Sequence, residues 1–331
     1  MSATAASPDL AARLRGADRR TRRRKVVNRV MQVLCALAAV LALAVLAIVV
    51  VSVLLRGIGA INLDFFTKPT HSASLGFETG GVADAIVGTA VIVALATAMA
   101  VPVGVLVALY TSEFARKETA RTVRLALDVL NGIPSIVIGI FVFGLLVVGS
   151  GQAAWKASFA LAVIMLPLVA RSTQEVLALV PLSMRDASAA LGARHWKTVV
   201  RVVIPASLGG IVTGTALAIA RIAGETAPIL FTSSLAAHIV QTDITQAVQT
   251  LPFTIFVYSE SPDPNDHQIA WAAALLLMFF VLVTSLVART LLARSQRKLE
   301  GGAAGGGLGV GRLLGLVEPA FHGRKGGGGT S

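Results

Sequence analysis

Apolar positions in this chain come in long unbroken runs, and polar residues gather into short blocks between them. Six runs stand out: about Val30 to Leu55, Val82 to Tyr110, Leu125 to Val148, Ser158 to Val180, Ser207 to Leu230 and Ile269 to Leu292. Each is about 20 residues or longer, enough at ~1.5 Å per residue to cross a hydrocarbon layer of about 30 Å. None alternates with a period of two. The pattern therefore predicts an all-α integral membrane protein of six transmembrane helices and not a membrane barrel. The first run is too long for a signal-peptide core and reads as a retained helix.

Composition agrees: 55% of the 331 residues are hydrophobic and only 14% are charged, which excludes an ordinary soluble domain. The net charge of +12 changes the picture more. Lys and Arg sit in blocks without interleaved aromatic residues to stack bases, so nucleic acid is not the implied partner. The blocks fall on alternate sides of the runs: Arg13 to Arg29; Arg116, Lys117, Arg121 and Arg124; Arg185, Arg194, Lys197 and Arg201; and Arg289 to Lys298. Positively charged loops stay in the cytoplasm, which places both termini and the loop 181–206 inside. The opposite loops carry Arg56, Lys68 and Lys156 against Asp64, Glu78, Asp243, Glu260, Asp263 and Asp266, a surface that does not by itself attract an anion.

Three parts follow: a basic cytoplasmic segment 1–28, a six-helix unit 29–295, and a Gly-rich cytoplasmic tail 296–331. The tail has runs at Gly305 to Gly307 and Gly326 to Gly329 and is expected to be disordered.

Two runs contain residues that an apolar helix does not need. In the fifth, Arg221 and Glu225 lie well inside; counted from Ser207, Arg221 is ~20 Å across the layer at ~1.5 Å per residue. Arginine at such depth costs about 2.5 to 3.5 kcal/mol on insertion scales and either pairs or lines a pathway. At four-residue spacing the two share a helix face, so one reading is a structural ion pair. The other is that Arg221 offers its fork of donors to a transiting oxyanion while Glu225 holds or gates it. In the third run Asn131, Gly132, Pro134 and Ser135 interrupt the helix, predicting a kink or local unwinding: a gate, or a bend satisfied by neighbours. Arg171 and Glu175 repeat the spacing in the fourth run, where interfacial anchoring suffices.

Enzymatic chemistry finds no support. The five histidines are scattered without ligand spacing, so no metal site is expected, and Cys35 stands alone within the first run. Gly192, four residues, then Lys197 and Thr198 lacks the second glycine and preceding strand of a phosphate-binding loop. The chain is expected to bind no ATP.

The loop after the fourth run carries Asp186, Ala187 and Ser188, then Gly192, then Val202, Ile204 and Pro205. It resembles the cytoplasmic coupling loop of ABC importer permeases: Glu-Ala-Ala, three residues, Gly, nine residues, Ile, one residue, Leu-Pro. Every spacing is met; Asp186 shortens the acid and Ser188 replaces Ala. Asp186 to Ala190 reads as a short helix of small residues, with Gly192 permitting the turn after it. Further segments are similar to the PstA family of phosphate importer permeases: Gly80 to Thr89, Gly132 to Gly139, Arg221 to Thr232 with its Gly-Glu-Thr-Ala-Pro, and Leu251 to Ile255.

The resemblance spans about Val30 to Arg294 and implies a type I ABC importer permease of the MetI-like fold in a bacterial plasma membrane. Implied partners are a sister permease, a cytoplasmic ATPase dimer that binds the ATP and Mg2+, and an extracytoplasmic phosphate-binding protein. Arg221, Glu225 and Thr226 are then expected on the substrate pathway, and Asp186, Ala187, Ser188, Gly192 and Pro205 at the ATPase. An oxyanion such as molybdate or sulfate, or a stand-alone secondary transporter, are the alternatives.

Overall fold

The computed structural model describes residues 8–70, 80–234 and 237–314, among which there is no strand. Residues 1–7, the outer residue Glu78 and the last part of the expected Gly-rich tail, 315–331, lie outside the described residues.

Among the described residues twelve α-helices follow one another: α1 (Pro8–Gly57), α2 (Leu63–Thr67), α3 (Ala83–Leu109), α4 (Lys117–Gly132), α5 (Ser135–Val142), α6 (Ala154–Ala178), α7 (Leu182–Ala190), α8 (His195–Thr198), α9 (Ile204–Ile222), α10 (Ala227–Thr232), α11 (Leu251–Ser259) and α12 (Pro264–Leu314). Wider π turns extend α3 through Tyr110–Phe114, extend α5 through Phe143–Val147 and join α8 to α9 through Val199–Val203. The last has a local cause. Pro205 has no N–H for the Arg201 carbonyl and its ring crowds that carbonyl, so widening the preceding turn keeps the helix unbroken.

Among the described residues five helices are long and apolar enough to cross a membrane, and the pair α4 and α5 forms a sixth span if a 94° bend is allowed within it. The interruption expected at Asn131 to Ser135 within Leu125 to Val148 is thus a full break between two helices. Pro134 disfavours helical backbone at Ile133 and cannot donate to the carbonyl four residues back, so α4 stops at Gly132 and a new helix starts at Ser135. The fifth span, expected to be continuous from Ser207 to Leu230, also breaks: α9 ends at Ile222 and α10 begins at Ala227 with Pro228 in its first turn. At the C-terminus α12 runs as helix through Leu314, past Leu292 and into glycines expected to be disordered. Each added residue there extends an existing helix without a new nucleation cost.

The core is formed by α3, α6 and α9, with α12 closing against α9 and α1 packing chiefly on α12. Its centre is rich in small residues, including Ala96, Ala100, Ala157, Ala160 and Ala218, around the larger Leu161, Met165 and Ile222. Small side chains suit helices that associate through close van der Waals contact, where lipid provides no hydrophobic force between them. Thr213 adds a polar tie, its hydroxyl lying within hydrogen-bond distance of the α9 carbonyl of Gly209 and, at 3.1 Å, of Ala288 on α12. By contrast α1 is exposed along almost its whole described length.

At the end away from the basic loops, segment 244–251 forms a cover. Ala154 N–H donates to the Gln246 carbonyl at 2.8 Å, satisfying an open donor at the start of α6, and Leu251 N–H donates to Thr89 Oγ1 at 2.9 Å. The Gly80 to Thr89 and Leu251 to Ile255 segments, far apart in sequence, thus meet. Asp84, buried in the first turn of α3, accepts from Thr70 N–H at 2.8 Å and from its hydroxyl, and His238 Nδ1 stands 2.7 Å from the same hydroxyl.

Candidate functional site

Two helix breaks lie side by side. Gly139 on α5 packs so closely against α10 that a Cβ there would stand 2.8 Å from Pro228 Cα, and one turn further along both helices the rings of Phe143 and Phe231 are 6.3 Å apart. Contacts that advance together mean the helices run parallel. Gly139, the fifth residue of α5, is level with Pro228, the second of α10, so the start of α5 lies about one turn ahead of the start of α10. Pro134 and Ser135 thus come within about a turn of the Glu225 and Thr226 break, although some ninety residues separate them in sequence, whereas Asn131 and Gly132 lie beyond the 94° bend, on α4.

At this level Arg221 occupies the last turn of α9 and is exposed; its guanidinium forms no ion pair or hydrogen bond with a described residue. Glu225 lies in the turn after the helix, where its N–H donates to the Ile222 carbonyl at 3.1 Å, and Thr226 is the residue before α10. The shared helix face expected for Arg221 and Glu225 is absent because the helix ends between them, and no ion pair joins them. Two free α-helical ends, broken backbone and an exposed, unpaired cation form a polar level on an otherwise apolar bundle. The start of α5 adds unpaired N–H groups and the positive end of a helix dipole.

The second group of predicted residues lies at the basic end. Asp186, Ala187 and Ser188 are on α7, which begins at Leu182, four residues ahead of the expected Asp186, because Pro181 provides a fixed φ just before the first turn. No residue of α7 is buried. Gly192 follows at φ +75°, a left-handed conformation that glycine adopts without Cβ strain, and the chain turns there into α8. Ser188 Oγ meets Thr198 Oγ1 at 2.9 Å across that turn, and Pro205 opens α9. Apolar side chains remain exposed around the turn: Leu182 by 73%, Leu191 by 89% and Trp196 by 53%.

What holds α7 was not anticipated. Arg185 Nη1 stands 2.7 Å from both carboxylate oxygens of Glu113, in the π turn after α3, and Arg185 Nη2 donates to the Leu177 carbonyl at 3.0 Å. His195 Nε2 is 2.9 Å from the Glu113 carbonyl oxygen, and its ring packs edge-on to Phe114. The Glu113 side chain is only 2% exposed. The signal in the sequence was a lone acid ahead of the Arg116 to Arg124 block. Arg171, expected as an interfacial anchor, pairs with Asp128 on α4.

This arrangement, an all-helical membrane-crossing bundle with broken spans and a short exposed helix at its basic end, is the fold of type I ABC importer permeases. A solved bacterial ABC transporter involved in import of the acidic polysaccharide alginate shares it, with a TM-score of 0.51 and 16% identity over 69% of this chain and 86% of that one. Residues 100–299 match the binding-protein-dependent transport system inner membrane component family, and the chain belongs to it. It is a multi-pass membrane protein and a transporter permease subunit, not itself an enzyme. The phosphate transport system permease protein PstA of Yersinia pestis is 38% identical over 82% of this chain and 92% of its own length. The PstA 1 protein of Mycobacterium tuberculosis strain H37Rv is 40% identical over 63% of this chain and 68% of its own.

Proposed function

We propose that this chain is a permease subunit of an ATP-driven importer of inorganic phosphate, sharing its pathway with a sister permease. The observation that carries the reading is the unpaired Arg221 at the level where α5 and α9 are both interrupted. An arginine without a partner within a membrane-spanning segment is costly, and a dehydrated oxyanion that accepts its planar donors offsets that cost only during passage. The exposure of Arg221 on this chain leaves its face open toward the sister subunit. Similarity to proteins named as phosphate transport permeases supports phosphate as the cargo.

The α7 helix is the contact with an ATPase dimer. It has no buried residue, is ringed by exposed Leu182, Leu191 and Trp196, and is anchored to α3 through Glu113, so a pull on α7 reaches a core helix directly. The basic blocks support a cytoplasmic location for this end and both termini. An extracytoplasmic binding protein delivers phosphate to the cover over α6; ATP and Mg2+ are held by the ATPase. Closure of the ATPase on nucleotide draws the α7 helices together and opens the pathway outward, and hydrolysis resets it. The parts 1–28 and 296–331 are extensions outside the six-helix unit 29–295.

Reconstitution with the sister permease, ATPase and binding protein tests this, by following ATP-dependent uptake of radiolabelled phosphate with sulfate and molybdate as competitors. Uptake that needs ATP and yields only to unlabelled phosphate is expected. Uptake without the ATPase, or displacement by sulfate or molybdate in place of phosphate, overturns the reading.

A further inference from the structure

A cleft of about 640 Å³ opens between α4, α6 and the π turn after α3, at the same end as α7. Its charge is one-sided: Lys117, Arg121, Arg124 and Arg171 line it, with Asp128 as the lining carboxylate. The helical spacing explains the grouping, since Lys117, Arg121, Arg124 and Asp128 follow one another at intervals of four, three and four and so share one face of α4. The neighbouring face, with Ala120 and Leu127 buried, is the one that packs inward. Arg171 reaches over from α6 and is already satisfied, pairing with Asp128 and donating to the Arg124 carbonyl at 3.3 Å. Lys117, Arg121 and Arg124 remain without an ion pair or hydrogen bond to any described residue, around a concavity that also presents Ser112.

We infer that this cleft is a second oxyanion site, separate from Arg221, that holds a phosphate group between Arg121, Arg124 and Lys117. Three cations lining one concave surface from a single helix face, with the lining carboxylate taken by Arg171, suit a tetrahedral phosphate group whose several oxygens can each accept a charge-assisted hydrogen bond. The group is either free phosphate on the side where transport ends or the headgroup of an anionic lipid, for which the exposed Leu125 and Val129 on the same helix provide an apolar flank. Only the choice of phosphate as probe rests on the transport reading.

The test uses the full complex in nanodiscs, without nucleotide or binding protein, comparing wild type with R121Q/R124Q. Equilibrium binding of radiolabelled phosphate is measured in phosphatidylcholine discs, and lipid retention is read by native mass spectrometry in discs that also contain phosphatidylglycerol. Saturable phosphate binding that weakens about tenfold or more in the variant, as loss of charge-assisted contacts predicts, assigns the site to free phosphate. Phosphatidylglycerol retained by wild type and lost from the variant assigns it to the headgroup. A variant of unchanged thermal stability that alters neither readout overturns the inference. ATP-dependent uptake followed in parallel reports on the transport reading independently, so failure of one is not mistaken for failure of the other.

Discussion

Arg185 on α7 and Glu113 at the end of α3 form a two-pronged ion pair, with one guanidinium nitrogen 2.7 Å from each carboxylate oxygen. Glu113 is nearly sealed from solvent and Arg185 is about one-quarter exposed, so this is a structural joint rather than a surface pair. Removing one partner leaves the other charge buried, which costs about 3 to 5 kcal/mol in comparable sites. Glu113→Gln is therefore expected to loosen α7 and lower phosphate-stimulated ATP hydrolysis by the assembled complex. Basal hydrolysis should persist. A double-mutant cycle with Arg185→Ala checks the joint: a coupling energy near zero would dissociate the two residues.

Gly192 gives a graded test of the turn after α7. At φ +75° a β-branched residue is strained, and the left-handed conformation costs an L-residue about 1 to 2 kcal/mol, whereas Asn tolerates it. Gly192→Val should reduce coupled uptake more than Gly192→Asn at equal expression. Equal loss in both would point to lost space at the ATPase surface and away from backbone geometry.

Gly139 sets the spacing of α5 and α10. A methyl group there would meet the Pro228 backbone at 2.8 Å, too close for either helix to yield locally. Overpacking of this kind costs about 1 to 3 kcal/mol. Gly139→Ala should lower the melting temperature of the purified complex and impair uptake, and an unchanged melting temperature would refute the close packing.

Most of the architecture was legible because lipid simplifies the code: apolar runs of spanning length mark helices. Asn131, Gly132 and Pro134 announced the third-span break, since proline's missing donor is a local property. The size of the bend was not legible, because 94° depends on what α4 packs against. The break at Ala223 was hidden, as Pro228 sits one turn beyond it and an apolar count passes straight through. Spacing offered an Arg221 and Glu225 pair as one reading, and backbone rupture removes it; the partner of Arg171, Asp128 forty-three positions away, was not legible at all. Long-range partners such as Glu113 and Arg185 leave no periodic trace.

Asp243 makes a pH-dependent turn in the outer cover. Thr245 donates its N–H at 2.9 Å and its hydroxyl at 2.7 Å to Asp243 Oδ1, and these two bonds hold the carboxyl below its ordinary value of 3.8. A depressed value means the turn is favoured above the unfolded-state range and loses that support as pH falls through the folded value. Thr245→Ala removes the hydroxyl bond and should move the Asp243 titration part of the way back up, as read by carboxyl carbon NMR. No movement would show that the N–H bond alone sets it.

Arg221 distinguishes a pathway residue from a structural one. A residue that stabilises the bundle through an ion pair needs its partner, yet Glu225 stands beyond the end of α9 and does not meet it. Substituting Arg221 by Ala should therefore leave assembly and melting temperature near wild type, while phosphate uptake falls about tenfold or more, the loss expected for charge-assisted hydrogen bonds of ~1.5 to 3 kcal/mol. Arg221→Lys keeps the charge but not the planar fork, so it should restore part of the rate and leave a raised half-saturation concentration. Glu225→Gln should change uptake without reproducing the Arg221→Ala defect, because the two side chains do not act as a pair. Full uptake in Arg221→Ala, with the complex intact, would remove this residue from the pathway and leave the broken backbone of α5 and α10 to carry the oxyanion.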